Sequence, residues 1–175
     1  ANIEAIRQFA RVNEQNEALL AHPAAPVVLL SKQEEPDQRR VIAPSVAPDN
    51  TKIGVMLPYS PVHHLLLAEV DFPLVMTSGN RSGEPQAITN DAARSQLYGI
   101  ADLLLLHNRP IHNRLDDSVV VAGKHGTQIL RRARGYAPTS LPLPPGFPAA
   151  PALIALGGQL KNTLCLVKER RAVIT

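Results

Sequence analysis

The sequence predicts an α/β protein with a mixed sheet, on three observations. Short apolar runs alternate with capped helical segments, a glycine-bounded hairpin follows them, and a proline-rich tract separates all this from a second set of strands. In order, Ile3, Ile6 and Ala10 recur at helical spacing after Asn2, a candidate N-cap, and a second helix covers Glu14 to Ala21 before Pro23. Val27 to Leu30 reads as a buried strand followed by a charged loop from Lys32 to Arg40, and Ile53 to Leu57 as the next strand. Ser60-Pro61 pairs an N-cap with proline at the first helical position, opening a helix that ends before Phe72-Pro73. Leu74 to Thr77 and Leu103 to Leu106 read as strands, with a helix over Asp91 to Tyr98 between them and Gly99 beyond its end. Ser118 to Ala122 and Gln128 to Arg132 flank the turn Gly123-Lys124-His125-Gly126. From Pro138 to Pro151 six of fourteen residues are proline, which excludes a helix and reads as a stiff linker. Ala152 to Leu156 and Asn162 to Val167 then read as a hairpin opening a second domain, since about 25 residues bury no core alone.

Composition narrows the function classes. The 175 residues are 45% hydrophobic and 19% charged, and the longest apolar runs last about four residues against the roughly 20 of a membrane-spanning helix. A lone Cys165 excludes an internal disulfide and no Cys/His spacing suits structural zinc, so a reducing, cytoplasmic setting is expected. The first residues resemble no signal peptide and begin without Met, so a piece of a longer protein is expected. Charge is asymmetric: residues 1–106 hold eight Lys/Arg against twelve Asp/Glu (net −4), and residues 107–175 hold ten against three (net +7). Such a basic half suits phosphate groups or a solvated face. Three Phe, three Tyr and no Trp leave few rings for a dedicated single-strand binder.

Three constellations carry candidate chemistry. Thr77-Ser78-Gly79-Asn80-Arg81-Ser82-Gly83-Glu84-Pro85 offers hydroxyls, an amide and open backbone N–H groups where a strand end meets a helix; an ordinary turn uses the same residues. His112-Asn113-Arg114-Leu115-Asp116-Asp117-Ser118 leads into a strand, where neighbouring carboxylates point to opposite faces, so one is expected to order an arginine; a surface ion-pair cluster fits equally. In Leu130-Arg131-Arg132-Ala133-Arg134-Gly135-Tyr136, a strand continued to Arg134 would project Arg132 and Arg134 from one face toward a polyphosphate, or form a charged edge. His63-His64 diverge on a helix, one expected at a pocket and the other at the surface, and Cys165 reads as an inert thiol.

Together the strings LPYSPVHHLLL (57–67), PLVMTSGNRSGEP (73–85), LLLHNRPIHNRLDDSVV (104–120), LRRARGYAP (130–138) and ALGGQLKNTLCL (155–166) closely resemble the HypF family of hydrogenase-maturation carbamoyltransferases. The resemblance implies a YrdC-like twisted mixed sheet with flanking helices over 1–137, a proline-rich linker over 138–151, and the start of an actin-like-fold transfer domain over 152–175. It implies an ATP-dependent enzyme that joins carbamate, derived from carbamoyl phosphate, to AMP and passes the carbamoyl group to the C-terminal Cys of the partner HypE. The family's basic opening segment, acylphosphatase domain and zinc-binding modules have no counterpart in these residues, so zinc is expected only outside them, and little activity from this part alone.

Site roles follow from the same resemblance. Asn80, Arg114 and Asp117 are the expected catalytic residues. Ser78, Asn80, Ser82, His112, Arg114, Ser118, Arg132, Arg134 and Tyr136 are the expected contacts to nucleotide and substrate, with Mg²⁺ reached through Asp116 or Asp117. Two other readings share parts of the pattern. One is a threonylcarbamoyl-adenylate synthase of tRNA modification, whose free-standing forms need neither linker nor second hairpin; the other is a double-stranded RNA-binding module drawing on the basic half.

Overall fold

The computed structural model describes residues 2–34, 42–147, 151–158 and 162–174. The chain divides into two compact units, Ala1–Pro73 with Asp117–Thr175, and Leu74–Asp116.

The larger unit opens with two short helices, α1 (Ile3–Arg7) and α2 (Glu14–Leu20), each started by an asparagine. The Asn2 and Asn13 side chains accept from the Ala5 and Asn16 N–H groups, satisfying donors a helix start leaves unpaired. Strands β1 (Val27–Ser31), β2 (Lys52–Val55), β3 (Val119–Gly123) and β4 (Gly126–Arg131) form a mixed sheet in the order β2-β1-β3-β4. Only the β1–β3 pair is parallel.

Alternation puts Val28 and Leu30 of β1, Ile53 of β2 and Val120 of β3 into one cluster with Ile6, Phe9, Ala10, Leu19 and Leu20 of the helical segment. Fully burying each large side chain there stabilises by about 1.5–3 kcal/mol. After β2, helix α3 (Pro61–Ala68) begins at Ser60, whose hydroxyl accepts from the His63 N–H at 3.3 Å.

A second sheet, ordered β5-β8-β7-β6, is formed by β5 (Leu141–Pro142), β6 (Leu153–Leu156), β7 (Leu164–Lys168) and β8 (Arg171–Ile174). The proline-rich stretch expected as a linker thus contributes an edge strand, the position in a sheet where proline is tolerated. Instead of one hairpin, β6, β7 and β8 make two successive ones.

The smaller unit holds one regular element, α4 (Asn90–Gln96), capped by the Thr89 hydroxyl on the Ala92 N–H. The runs at 74–77 and 103–106 are not strands. A strand exists only through its ladder partners, and neither run has one; Val75 is 68%, Leu103 91% and Leu105 80% exposed. Short apolar runs state that a segment is hydrophobic but not what it pairs with.

Candidate functional site

In the smaller unit, the loop after Thr77 is held by its own backbone. The Asn80 N–H donates to the Ser78 carbonyl, the Glu84 N–H to the Arg81 carbonyl, and the Ala87 N–H to the Gly79 carbonyl, all at 3.0 Å. Gly83 sits at φ +79, where a side chain is strained. The Asn80 amide donates to the Arg81 carbonyl at 2.8 Å, leaving its Oδ1 open, while Ser78 and Ser82 are exposed and their hydroxyls bond to no described residue. Arg81 ties the loop to the end of α4 through Nε on the Gln96 carbonyl at 2.7 Å.

Gln86 joins this loop to the second constellation. Its carbonyl accepts from Arg114 Nε at 2.8 Å and its side-chain amide donates to Asp116 Oδ1 at 3.0 Å. Arg114 is exposed, and within this unit its NH1 and NH2 bond to no residue, so a guanidinium fixed at one nitrogen presents its other donors outward. His112 is exposed on the same segment. Sequence reasoning missed Gln86, because nothing in its type or spacing distinguishes it from a loop filler.

In the larger unit, β4 stops at Arg131 after a register shift opposite Val119 and Val120, so the strand does not carry on to Arg134. Arg134 instead forms an isolated parallel bridge with Asp117. Its Nε and NH2 donate to Asp117 Oδ1 at 3.1 and 2.8 Å, NH1 to the Ala24 carbonyl at 2.9 Å and NH2 to the Ala25 carbonyl at 2.7 Å. One NH1 hydrogen remains of five donors. The guanidinium carbon lies 3.7 Å from the centre of the Tyr59 ring, and that ring meets His63 at 4.6 Å, nearly perpendicular.

The neighbouring residues complete a clasp on the 22–25 turn. A Cβ on Gly135 (φ +82) would stand 2.4 Å from the Ala24 Cβ, so only glycine lets the two backbones approach. Tyr136 stacks on His22 at 5.9 Å. Arg132 NH2 donates to the Tyr136 and Thr139 carbonyls at 2.7 and 2.6 Å, with its Nε buried and unpartnered among the described residues. Ser118 is fully buried; its hydroxyl donates to the Arg134 carbonyl at 2.9 Å and accepts from the Ala133 N–H at 2.8 Å. Ser118, Arg132 and Tyr136, read from sequence as ligand contacts, are thus engaged with this chain's own backbone and rings. The third constellation holds its own fold together.

Each aspartate expected near Mg²⁺ has one oxygen engaged within the chain: Asp117 Oδ1 is paired with Arg134 and Asp116 Oδ1 accepts from Gln86. Among the described residues no group of three or more His, Cys, Asp or Glu suits a metal ion, and no helix is long and apolar enough to cross a membrane. Of the adjacent pair His63-His64, His64 lines an open surface pocket of about 460 Å³ with Ile3, Leu57 and Pro58, whereas His63 packs on Tyr59. Cys165 is free and half-buried.

Comparison with known proteins agrees with the resemblance read from the sequence. The Sua5–YciO–YrdC family profile, described as "Telomere recombination", matches residues 1–133. Carbamoyltransferase HypF of Rhodobacter capsulatus is 47% identical over 99% of this chain and 22% of its own length. That of Synechocystis sp. is 43% identical over the same shares. The crystal structure of full-length HypF in the phosphate- and nucleotide-bound form superposes with a TM-score of 0.87 at 42% identity, over 99% of this chain and 26% of that one. The chain therefore spans about a fifth of the curated relatives it matches. With the profile covering most of its residues and HypF proteins matching it end to end, the chain belongs to the Sua5–YciO–YrdC family in its HypF form.

Proposed function

We propose that this chain supplies the adenylate-forming part of a carbamoyltransferase of hydrogenase maturation, making carbamoyl-adenylate from ATP and the carbamate derived from carbamoyl phosphate. The observation that carries the reading is the pair of Gln86 bonds, which ties Arg114 and Asp116 to the segment that follows the Ser78–Ser82 loop. A HypF relative bound to phosphate and nucleotide supports it.

In the reaction a carbamate oxygen attacks the α-phosphorus, the bond from that phosphorus to the bridging oxygen breaks, and pyrophosphate leaves with the electron pair. Such a step asks a protein to position two anions and offset accumulating charge more than to supply a strong base. Arg114 NH1 and NH2 meet the anions, helped by His112. Ser78 and Ser82 donate hydroxyls to phosphate oxygens, and Asn80, with donor and acceptor on one short side chain, reads the carbamoyl amide and carbonyl. Asp117 orients Arg134. No step here is routed through Mg²⁺.

The C-terminal Cys thiol of HypE then attacks the carbamoyl carbon, a C–S bond forms as the C–O bond to the phosphate breaks, and AMP leaves, in a transfer domain that residues 152–175 begin. The test is pyrophosphate exchange into ATP in a full-length enzyme that carries these residues together with the acylphosphatase domain expected to free carbamate. Exchange that depends on carbamoyl phosphate and falls at least tenfold in Arg114→Gln supports the reading, since a charge-assisted contact contributes about 1.5–3 kcal/mol. Exchange that ignores carbamoyl phosphate rejects it.

A further inference from the structure

Beyond Val28 and Val120 the parallel pairing of β1 with β3 ends, and that edge of β1 passes to another partner. The Arg11 N–H donates to the Ser31 carbonyl at 2.8 Å, the Gln33 N–H donates to the Phe9 carbonyl at 3.0 Å, and Ala10 bridges Lys32. The sheet therefore splits between this segment and the end of β3. A pocket of about 280 Å³ opens there, at the carboxyl ends of the two parallel strands, with Leu29 and Val121 as apolar lining and Arg11, Asn13, Ser31 and Lys52 as polar lining. In open α/β sheets the carboxyl ends of strands, where their order splits, are where small ligands bind.

The polar side chains of this pocket carry donors that no described residue takes up. Asn13 Oδ1 accepts from both the N–H and the side-chain amide of Asn16, at 2.9 and 2.6 Å, which leaves its Nδ2 hydrogens to the pocket. Arg11 donates one NH2 hydrogen to Glu34 at 2.6 Å, while its Nε and NH1 bond to no described residue. The same holds for Lys52 Nζ and the Ser31 hydroxyl, and these two residues are direct cross-strand neighbours on the face turned away from the buried Leu30 and Ile53. Charge arithmetic along the chain hides this pair of cations, because residues 1–106 are acidic overall. We propose that the pocket binds a small phosphate anion, inorganic phosphate or pyrophosphate, on Arg11, Asn13, Ser31 and Lys52. A carboxylate has two oxygens for these donors, whereas a phosphate sets more oxygens around one centre and suits a guanidinium and an ammonium together. The volume equals roughly nine waters at ~30 Å³ each, enough for either anion and too small for a whole nucleoside triphosphate. Every residue involved belongs to the larger unit, and none is shared with the Ser78–Ser82 loop or Arg114, so this site and the carbamoyl-adenylate reading stand or fall separately.

The test follows amide hydrogen exchange by mass spectrometry in a full-length protein that carries these residues, titrated with inorganic phosphate, with pyrophosphate and, at matched ionic strength, with chloride. Both phosphate anions should slow exchange in peptides covering 9–16 and 50–55, and chloride should not. Lys52→Met should raise the concentration needed for that protection about tenfold, the scale of one charge-assisted contact, and Lys52→Arg should restore most of it. Arg11→Met should weaken protection to a similar degree. Neither methionine variant should move the melting temperature by more than a few degrees, since Lys52 bonds to no described residue and the Arg11–Glu34 pair is exposed. Protection that chloride reproduces, or that Lys52→Met leaves at the wild-type concentration, would reduce the effect to ionic screening and overturn the site. Peptides that neither phosphate nor pyrophosphate protects would overturn it as well.

Discussion

Two residues in the clasp do their work by geometry that no other side chain reproduces. Ser118 satisfies two backbone groups at a fully buried position, so Ser118→Ala orphans the Ala133 N–H and takes a donor from the Arg134 carbonyl. We expect about 1–3 kcal/mol of lost stability in urea unfolding. Gly135→Ala combines a positive φ with a 2.4 Å overlap on Ala24, and should cost about 3 kcal/mol or more on the same measurement. Residue types in these motifs were legible from sequence, and so was the pairing of an aspartate with an arginine. The direction in which Arg134 points was not, because it depends on a bulge at the end of β4 and on the carbonyls of a turn 110 residues earlier. The same holds for Gln86, whose part in the site comes from what folds against it.

Among the elements, caps and turns were the most readable, since their signals are local. Asn2 and Ser60 cap α1 and α3 as their sequence positions suggest, and Gly123 and Gly126 close the β3–β4 hairpin. Ser60→Ala should lower stability by about 1 kcal/mol and, by fraying the first turn of α3, increase iodide quenching of Tyr59. Unchanged quenching would mean that Arg134 alone fixes the ring. The runs at 74–77 and 103–106 failed as strands for a non-local reason: pairing partners are a property of the sheet and not of the run. Proline density likewise excluded a helix at 138–151 without revealing that Leu141–Pro142 finds an edge on β8.

For the molecule as a whole, burial is unevenly distributed. The larger unit contains every buried residue of the core cluster, while no residue of 74–116 is buried. Native-state hydrogen exchange should therefore find the amides of Val28, Leu30 and Val120 the slowest, and those of 74–77 and 103–106 exchanging orders of magnitude faster. Comparable protection in both would contradict the division. Charge follows a different line, with the positive excess confined to 107–175, which includes Arg114 on one unit and Arg134 on the other.

The central claim is that the loop from Ser78 to Ser82 holds the carbamoyl and phosphate groups. Asn80→Asp tests it most directly, because aspartate also suits turns and forfeits locally only the 2.8 Å bond to the Arg81 carbonyl. As a ligand contact, however, it replaces a donor with a negative charge facing an anion. Measured together in the full-length enzyme, carbamoyl-phosphate-dependent pyrophosphate exchange should be abolished in this variant while the melting temperature shifts by only a few degrees; an Asn80→Asp protein that melts normally and exchanges at the wild-type rate would contradict the account.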